Sequence, residues 1–359
     1  MQVQSFFEPS ASISSPAPDP RAQTMSIATT AFSADVLNID AAAVSAGIEG
    51  KIREIVLHRL NRKGVVIAIS GGIDSSVVAA LCFRALGTAR VLGLMLPEAD
   101  SSPDSLHFAN LLARSLGLRT HVEDIAGILN AAGCYQRRDD AIRKVIPEYT
   151  AAYKCKIVLP DQVNSSAYPI FSVIVESPLG ERTKARLTLD SYLGVVAATN
   201  FKQRTRKMME YYYADLFNYA VAGTPNRLEF DQGFFVKNGD GAADLKPIAH
   251  LYKTQVYQLA AYFGIPEEIQ KRPPTTDTYP LDQSQEEFYF PLPYERMDLC
   301  LYAKNHGLQP EEVAPLIELT TEQVARVYRV IDATRNATRY LHRGPVLCQE
   351  VPEVSDDVV

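Results

Sequence analysis

The stretch Gly64-Val65-Val66-Ile67-Ala68-Ile69-Ser70-Gly71-Gly72-Ile73-Asp74-Ser75-Ser76 decides the fold. Residues 64–70 are almost wholly apolar and rich in β-branched side chains, which reads as a strand buried on both faces. A glycine pair follows, and SSVVAALCFRAL over 75–86 then reads as a helix stopped by Gly87. A strand that passes through glycines into a helix gathers unpaired N–H groups and a positive dipole end at one point. There Gly71 and Gly72 let the backbone approach an oxyanion, and Ser70, Ser75 and Ser76 can add hydroxyl donors. Asp74 can set a carboxylate beside a metal-bound phosphate, with Ile73 completing the turn. The loop lacks the Gly-Lys-Ser/Thr of a Walker A motif and the GxGxxG of a dinucleotide fingerprint. A plain strand-to-helix turn, with Ser and Asp as caps, is the local alternative.

The pattern continues downstream. VLGLMLP (91–97) reads as a second strand, SLHFANLLARSLG (105–117) as a helix, and RTHVEDI, ending at Ile125, as a third strand. Such alternation with short connections predicts parallel strands joined by crossover helices, an α/β fold. Residues 190–222 read as a long, mostly helical stretch broken near FNYAVAG (217–223), where another strand is expected. HLYKTQVYQLAAYFG (250–264) reads as an amphipathic helix with a glycine stop and Pro266 just beyond it.

Residues 135–188 break this rhythm. FSVIVESPLGERTKARLTL (171–189) alternates apolar and polar residues around a Pro-Leu-Gly turn, which predicts a hairpin with a loop longer than two residues. Charges on the alternating strands predict an excursion outside the central sheet, near the active-site mouth or a subunit contact. Mere surface decoration is the alternative.

Lys and Arg total 36 against 42 Asp and Glu, so the net charge is 36 − 42 = −6. That mild acidity argues against the clustered basic surface a nucleic-acid binder needs. No apolar run approaches the roughly 20 residues that span a bilayer. The 5 cysteines are scattered without a CxxC pair, which fits neither a disulfide framework nor a zinc ribbon and points to a reducing cytoplasm. His107 and His121 sit in a helix and a strand pattern, as packing or surface residues rather than ligands. Residues 1–35, rich in Ser, Ala and Pro, and 349–359 are expected to be disordered tails, with Met25 a plausible start.

The spelling SGGxDS at the end of the first strand resembles the PP-loop ATP pyrophosphatases, which split ATP between its α and β phosphates and adenylate a substrate. Later blocks are similar, in order, to ammonia-dependent NAD synthetases. Asn200-Phe201-Lys202-Gln203-Arg204-Thr205-Arg206-Lys207-Met208 resembles NxxARxRM, and Gly223-Thr224-Pro225-Asn226-Arg227-Leu228-Glu229 resembles GTxNxxE. The run from Gly233 to Asp244 resembles GYxTxxGDxxxD. Leu251-Tyr252-Lys253-Thr254-Gln255-Val256 matches LxKTxV, and Pro274-Thr275-Thr276-Asp277 stands where the family has P-S/T-A-D.

The resemblance implies a Rossmann-like parallel sheet of the adenine nucleotide alpha hydrolase type, flanked by helices, over residues 36–348. It implies ATP and Mg²⁺, with Ser70–Ser76, Thr224, Lys253 and Thr275 on ATP and with Asp74 and Glu229 on the metal. Asp74, Glu229 and Lys253 would be the catalytic set. Arg204, Lys237, Asp244, His342 and Arg343 would bind deamido-NAD or another carboxylate substrate. Free ammonia would be the nitrogen donor, unless a separate glutaminase supplies it, and the chain would be a homodimer. Val236, Leu228 and Ser284 depart from the family's usual residues, and these departures bear on the acceptor carboxylate more than on ATP. Another PP-loop amide ligase, or a non-catalytic nucleotide-binding protein, are the competing readings.

Overall fold

The computed structural model describes residues 32–159, 163, 171–275, 278–349 and 351. The tail expectations over 1–31 and 352–359, and the motif residues Thr276 and Asp277, lie outside these. Residues 34 and 35, within the stretch expected to be disordered, open a 3-10 turn, Ala34–Leu37, capped by Ser33; Leu37 is buried.

Helix α1 (Ala41–Arg53) precedes β1 (Val65–Ala68), α2 (Ile73–Leu86), β2 (Val91–Met95), α3 (Pro103–Leu116) and β3 (Thr120–Val122). Two helices, α4 (Ala126–Ala131) and α5 (Cys134–Arg143), lead to β4 (Lys154–Val158), β5 (Ser172–Glu176) and β6 (Arg182–Arg186). The long α6 (Leu189–Phe217) returns the chain to β7 (Ala220–Val221). Helices α7 (Arg227–Gln232), α8 (Lys253–Tyr262), α9 (Glu267–Gln270) and α10 (Gln285–Phe288) follow. The chain closes with α11 (Tyr294–Asn305), α12 (Pro310–Val313) and α13 (Thr321–Thr338). Among the described residues, no helix is long and apolar enough to cross a membrane.

The central sheet has 4 parallel strands in the order β3-β2-β1-β7. At β1, β2 and β7 both faces are covered, which is why these strands carry no polar side chain, whereas the edge strand β3, Thr120-His121-Val122, is largely exposed. Val65 and Ile67 point into a core shared with α1, α2 and α8, whereas Val66, Leu92 and Leu94 pack on the other side with Leu129 and Met209. Successive strands step one way from β1 to β3, and the chain then crosses to the other side of β1 for β7. In open α/β sheets the crevice at such a reversal, beyond the carboxyl ends of the strands, receives ligands. Here Ser70–Gly72 follow β1 and Gly223-Thr224 follow β7, so both motif loops meet at that point.

The excursion forms a separate antiparallel sheet of 3 strands, β4-β5-β6. The hairpin expected over 171–189 is present, with Glu176 opposite Arg182 across the turn. β4 adds a strand that the sequence reading did not isolate, because its five residues carry lysines on either side of Cys155. One face of this sheet packs on α5 and α6 through Ile157, Val173, Val175 and Val195, while β6 leaves Arg182, Lys184 and Arg186 exposed.

Candidate active site

A cleft of about 550 Å³ opens where β1 and β7 end. Its floor is the loop from Ser70 to Ser75. Gly71 adopts a left-handed φ of +74°, and a Cβ there would lie 2.6 Å from the Ser105 carbonyl oxygen and 2.8 Å from Phe108 Cβ. Glycine is needed for the backbone angle and for the approach of α3. The Ser75 and Ser76 hydroxyls both donate back to the Gly72 carbonyl oxygen, at 3.0 and 2.8 Å, and so tighten the first turn of α2. Among the described residues no side chain caps that helix, which leaves its N-terminal N–H groups facing the cleft.

Asp74, in the first turn of α2, forms an ion pair with Lys253, the first residue of α8. Asn226 spaces the rest. It is the N-cap of α7, where its Oδ1 accepts the Glu229 N–H at 3.1 Å and its own N–H donates to Glu229 Oε2 at 3.2 Å. Its Nδ2 donates to Asp74 Oδ1 at 3.1 Å. The N-x-x-E spacing within GTPNRLE is thus a capping box that also sets two carboxylates side by side. Gln285, on α10, donates its amide to Glu229 Oε1 at 3.1 Å.

The charges in this group are tightly coupled. Burial pushes the Glu229 carboxyl up to about 7, the negative Asp74 adds to that, and Lys253 opposes it. Burial also works against the Lys253 ammonium, but Asp74 and Glu229 outweigh it and hold its pKa above the ordinary value. Behind them Asp298, fully buried on α11, accepts the Thr254 N–H at 2.7 Å and its hydroxyl at 2.8 Å. That bond fixes the start of α8 and hence Lys253. Burial pushes the Asp298 carboxyl up to about 6.

Residues 45–152 and 172–339 match the family model for NAD synthase. The chain belongs to the NAD synthase family. It is 55% identical over 322 residues to an NH(3)-dependent NAD(+) synthetase of Rhizobium rhizogenes, covering 90% of this chain and 97% of that one. A Rhizobium meliloti protein of the same name is 56% identical over 323 residues, covering 90% and 96%. A solved NH3-dependent NAD synthetase from Campylobacter jejuni superposes with a TM-score of 0.57 at 24% identity, covering 87% of this chain and 100% of its own. At that identity it speaks for the fold alone. Of the expected excursion 135–188, only 153–171 falls between the two matched stretches.

Within this NAD synthase fold the residues expected to act do not all face the cleft. Ser70, Gly72, Ile73, Asp74, Ser75, Thr224, Glu229, Lys253 and Thr275 line it, as do Arg204 and Lys237. Gly71 and Ser76 stand behind the loop and shape it. Lys237 donates to the carbonyl oxygens of Tyr340 and Arg343, both at 2.8 Å, and so anchors the C-terminal segment along the rim. Asp244 receives the Val221 N–H at 2.7 Å and the Tyr211 hydroxyl at 3.2 Å, which secures the end of β7. His342 packs edge-on against Phe230 and Phe235, with centroids 4.8 and 5.2 Å away, and Arg343 is exposed.

The three departures have local explanations. Leu228 is buried in the core of the C-terminal helices. Ser284 is the N-cap of α10, accepting the Glu287 N–H at 3.2 Å. Val236 lines the cleft and acts through its backbone, donating its N–H to Asp240 at 2.7 Å.

Sequence reasoning missed the supporting charges. Lys207 and Glu210 form a buried pair at 2.8 Å beside the cleft, with an i,i+3 spacing that was readable but no cue to its burial. Lys202 is also buried, held by Asp100 at 2.6 Å and Glu98 at 3.0 Å, and it donates to the Thr278 carbonyl oxygen at 2.7 Å. Arg138 of α5 pairs with the same Asp100, so α5, α6 and the loop after β2 are tied together beside the cleft.

Proposed function

We propose that this chain amidates deamido-NAD with ammonia at the expense of ATP, giving NAD, AMP and pyrophosphate. The observation that carries this reading is the Asp74–Asn226–Glu229–Lys253 group set against an uncapped helix N-terminus in a member of the NAD synthase family.

The substrate carboxylate attacks the α-phosphorus of ATP, and pyrophosphate departs to leave an acyl-adenylate. Ammonia then adds to the acyl carbon, loses a proton, and AMP leaves. No covalent link to the protein is required, so positioning and charge neutralisation carry the rate. The N–H groups at the start of α2 receive phosphate oxygens, and Lys253 offers a point charge held in place by Asp74. Thr224 and Thr275 present hydroxyls to the same nucleotide.

Asp74 and Glu229 would hold Mg²⁺. Two carboxylates bridged by one asparagine, one of them pushed up by burial and then by its neighbour's charge, form a hard-oxygen pair, which fits a cation that also binds phosphate. Bound there, Mg²⁺ would neutralise charge on the phosphate oxygens. Arg204 and Lys237 would meet the dinucleotide, and Asp244, His342 and Arg343 would shape that wall from behind. The reaction belongs to the cytoplasm, and its ammonia comes free or from a separate glutaminase.

A homodimer is part of the proposal. Leu189, Leu193, Met208 and Leu216 are all more than half exposed along α6, an apolar load that a second copy would cover. The test is pyrophosphate release with ATP, Mg²⁺ and ammonium, comparing deamido-NAD with a panel of other carboxylates. Deamido-NAD should turn over fastest. Turnover of another acid with none of deamido-NAD would replace this reading with that of a different amide ligase.

A further inference from the structure

We infer that Arg272 is the side chain that takes hold of the pyrophosphate leaving group, an inference that rests on the adenylating chemistry proposed above. When the carboxylate oxygen bonds to the α-phosphorus, the bond from that phosphorus to its bridging oxygen breaks. The electron pair stays on the bridging oxygen, so negative charge accumulates on pyrophosphate, and no proton moves in the step. A cation is wanted where the β and γ phosphates lie, against the glycine loop.

Most cations of the cleft already have a carboxylate or backbone carbonyl partner. Lys253 is paired with Asp74, and Lys207 with Glu210. Lys237 is spent on two backbone carbonyl oxygens. Arg206 donates to the Leu96 carbonyl oxygen at 3.2 Å and the Ser101 hydroxyl at 3.3 Å, on the wall after β2. Arg204 likewise donates to the Lys237 carbonyl oxygen at 3.3 Å, whereas Arg272, among the described residues, donates to no carbonyl oxygen. Its Nη2 donates to the Ser105 hydroxyl at 3.0 Å, and its guanidinium lies 5.2 Å from the centre of the Phe108 ring. Among the described residues, no carboxylate lies within ion-pair distance of it.

Position adds to this. Ser105 and Phe108 are two of the three residues of α3 that crowd Gly71, so the surface that holds Arg272 is the same surface that backs the phosphate loop. Arg272 lines the cleft, three residues before Thr275, and Pro273 and Pro274 stiffen the chain between them. A guanidinium carries five donors in a planar fork suited to phosphate oxygens, and Ser105 uses one. Stacking on Phe108 presets the fork while leaving its remaining edge for an anion. The outcome is a clamp, with helix N–H groups on one side of the phosphates and a preset arginine on the other.

The test measures pyrophosphate binding directly, by calorimetry on the full chain with Mg²⁺, for the wild type, Arg272→Met and Arg272→Lys. Methionine keeps an apolar stem on Phe108 without the charge, and lysine keeps the charge without the fork. The dissociation constant for pyrophosphate should rise by about 10- to 100-fold in Arg272→Met and by less in Arg272→Lys. AMP, which lacks the β and γ phosphates, should bind all three proteins alike. Pyrophosphate binding within twofold of wild type in a folded Arg272→Met protein would overturn the assignment. Equal losses for pyrophosphate and AMP would also overturn it, by reducing Arg272 to a structural role. Because binding is read without turnover, an inactive wild type with deamido-NAD would count against the proposed reaction and not against this assignment.

Discussion

The Lys253 ammonium meets the Asp74 carboxylate across 179 residues of sequence, joining the first turns of two helices that face one another over the cleft. Among the described residues no side chain caps the start of α2, whereas Gln255 and Asp298 accept the Tyr252 and Thr254 N–H groups at the start of α8, at 3.0 and 2.7 Å. The pair does two things at once, fixing the distance between α2 and α8 and holding a buried cation at the cleft, where the proposed reaction would bring phosphate.

Asp74→Ala should damage both functions. It leaves the buried Lys253 without its closest counter-charge, at a cost of about 3 kcal/mol of stability. Adenylation should fall by about 10²-fold or more. Asp74→Asn, which keeps the shape but not the charge, should recover only the small part of the stability that packing supplies and little of the rate. Urea unfolding and pyrophosphate release on both variants separate the two effects.

Glu229 gives the free protein a pH signature. Its folded pKa of about 7 is above the ordinary 4.5, so the folded state holds a proton that the unfolded chain has already released in between. Stability from this group is therefore present below about pH 4.5 and declines as pH rises toward 7. Glu229→Gln abolishes that slope, and its stability relative to wild type should improve steadily from pH 4.5 to 7. Unfolding curves collected across this window check the sign; a constant difference would show that Glu229 titrates normally.

Gly71→Ala should be costly at a single methyl group. The left-handed φ and the contact with the Ser105 carbonyl oxygen together predict a loss of about 1–3 kcal/mol, with weaker ATP binding because the loop and α3 must part. Gly87→Ala is the control, since its φ is also positive but nothing lies within 4 Å of its added Cβ. Gly71→Ala should lose ATP affinity, and Gly87→Ala should keep it.

Asp244→Ala tests a residue that family resemblance assigns to substrate and the structure joins to β7. Losing its bonds to the Val221 N–H and the Tyr211 hydroxyl should cost about 1–3 kcal/mol and loosen Thr224, three residues beyond Val221. The melting temperature should drop, and the KM for ATP should rise together with that for the dinucleotide. A change confined to the dinucleotide would assign Asp244 to substrate directly.

Much of this site was legible because its parts are local. An apolar run entering Ser-Gly-Gly predicts a buried strand and an anion-ready helix start, and Asn226-x-x-Glu229 spells a capping box. What could not be read depends on distant partners. Nothing in the sequence near Lys237 shows that its ammonium is taken up by carbonyl oxygens at 340 and 343. Nothing near Lys202 or Lys207 shows that they are buried, since an amphipathic helix usually keeps lysine in water. β4 was hidden for a related reason: its lysines flank a buried Cys155, and only packing against α5 tells a strand from a loop.

In the proposed reaction the acceptor carboxylate attacks the α-phosphorus before nitrogen arrives. Deamido-NAD labelled with ¹⁸O in its nicotinate carboxylate tests this directly, with ATP, Mg²⁺ and ammonium as the other reactants. AMP should leave carrying one carboxylate oxygen, so that half of the label passes from the dinucleotide into AMP, and glutamine alone should support no product. AMP free of ¹⁸O, or ADP and phosphate in place of AMP and pyrophosphate, would contradict it.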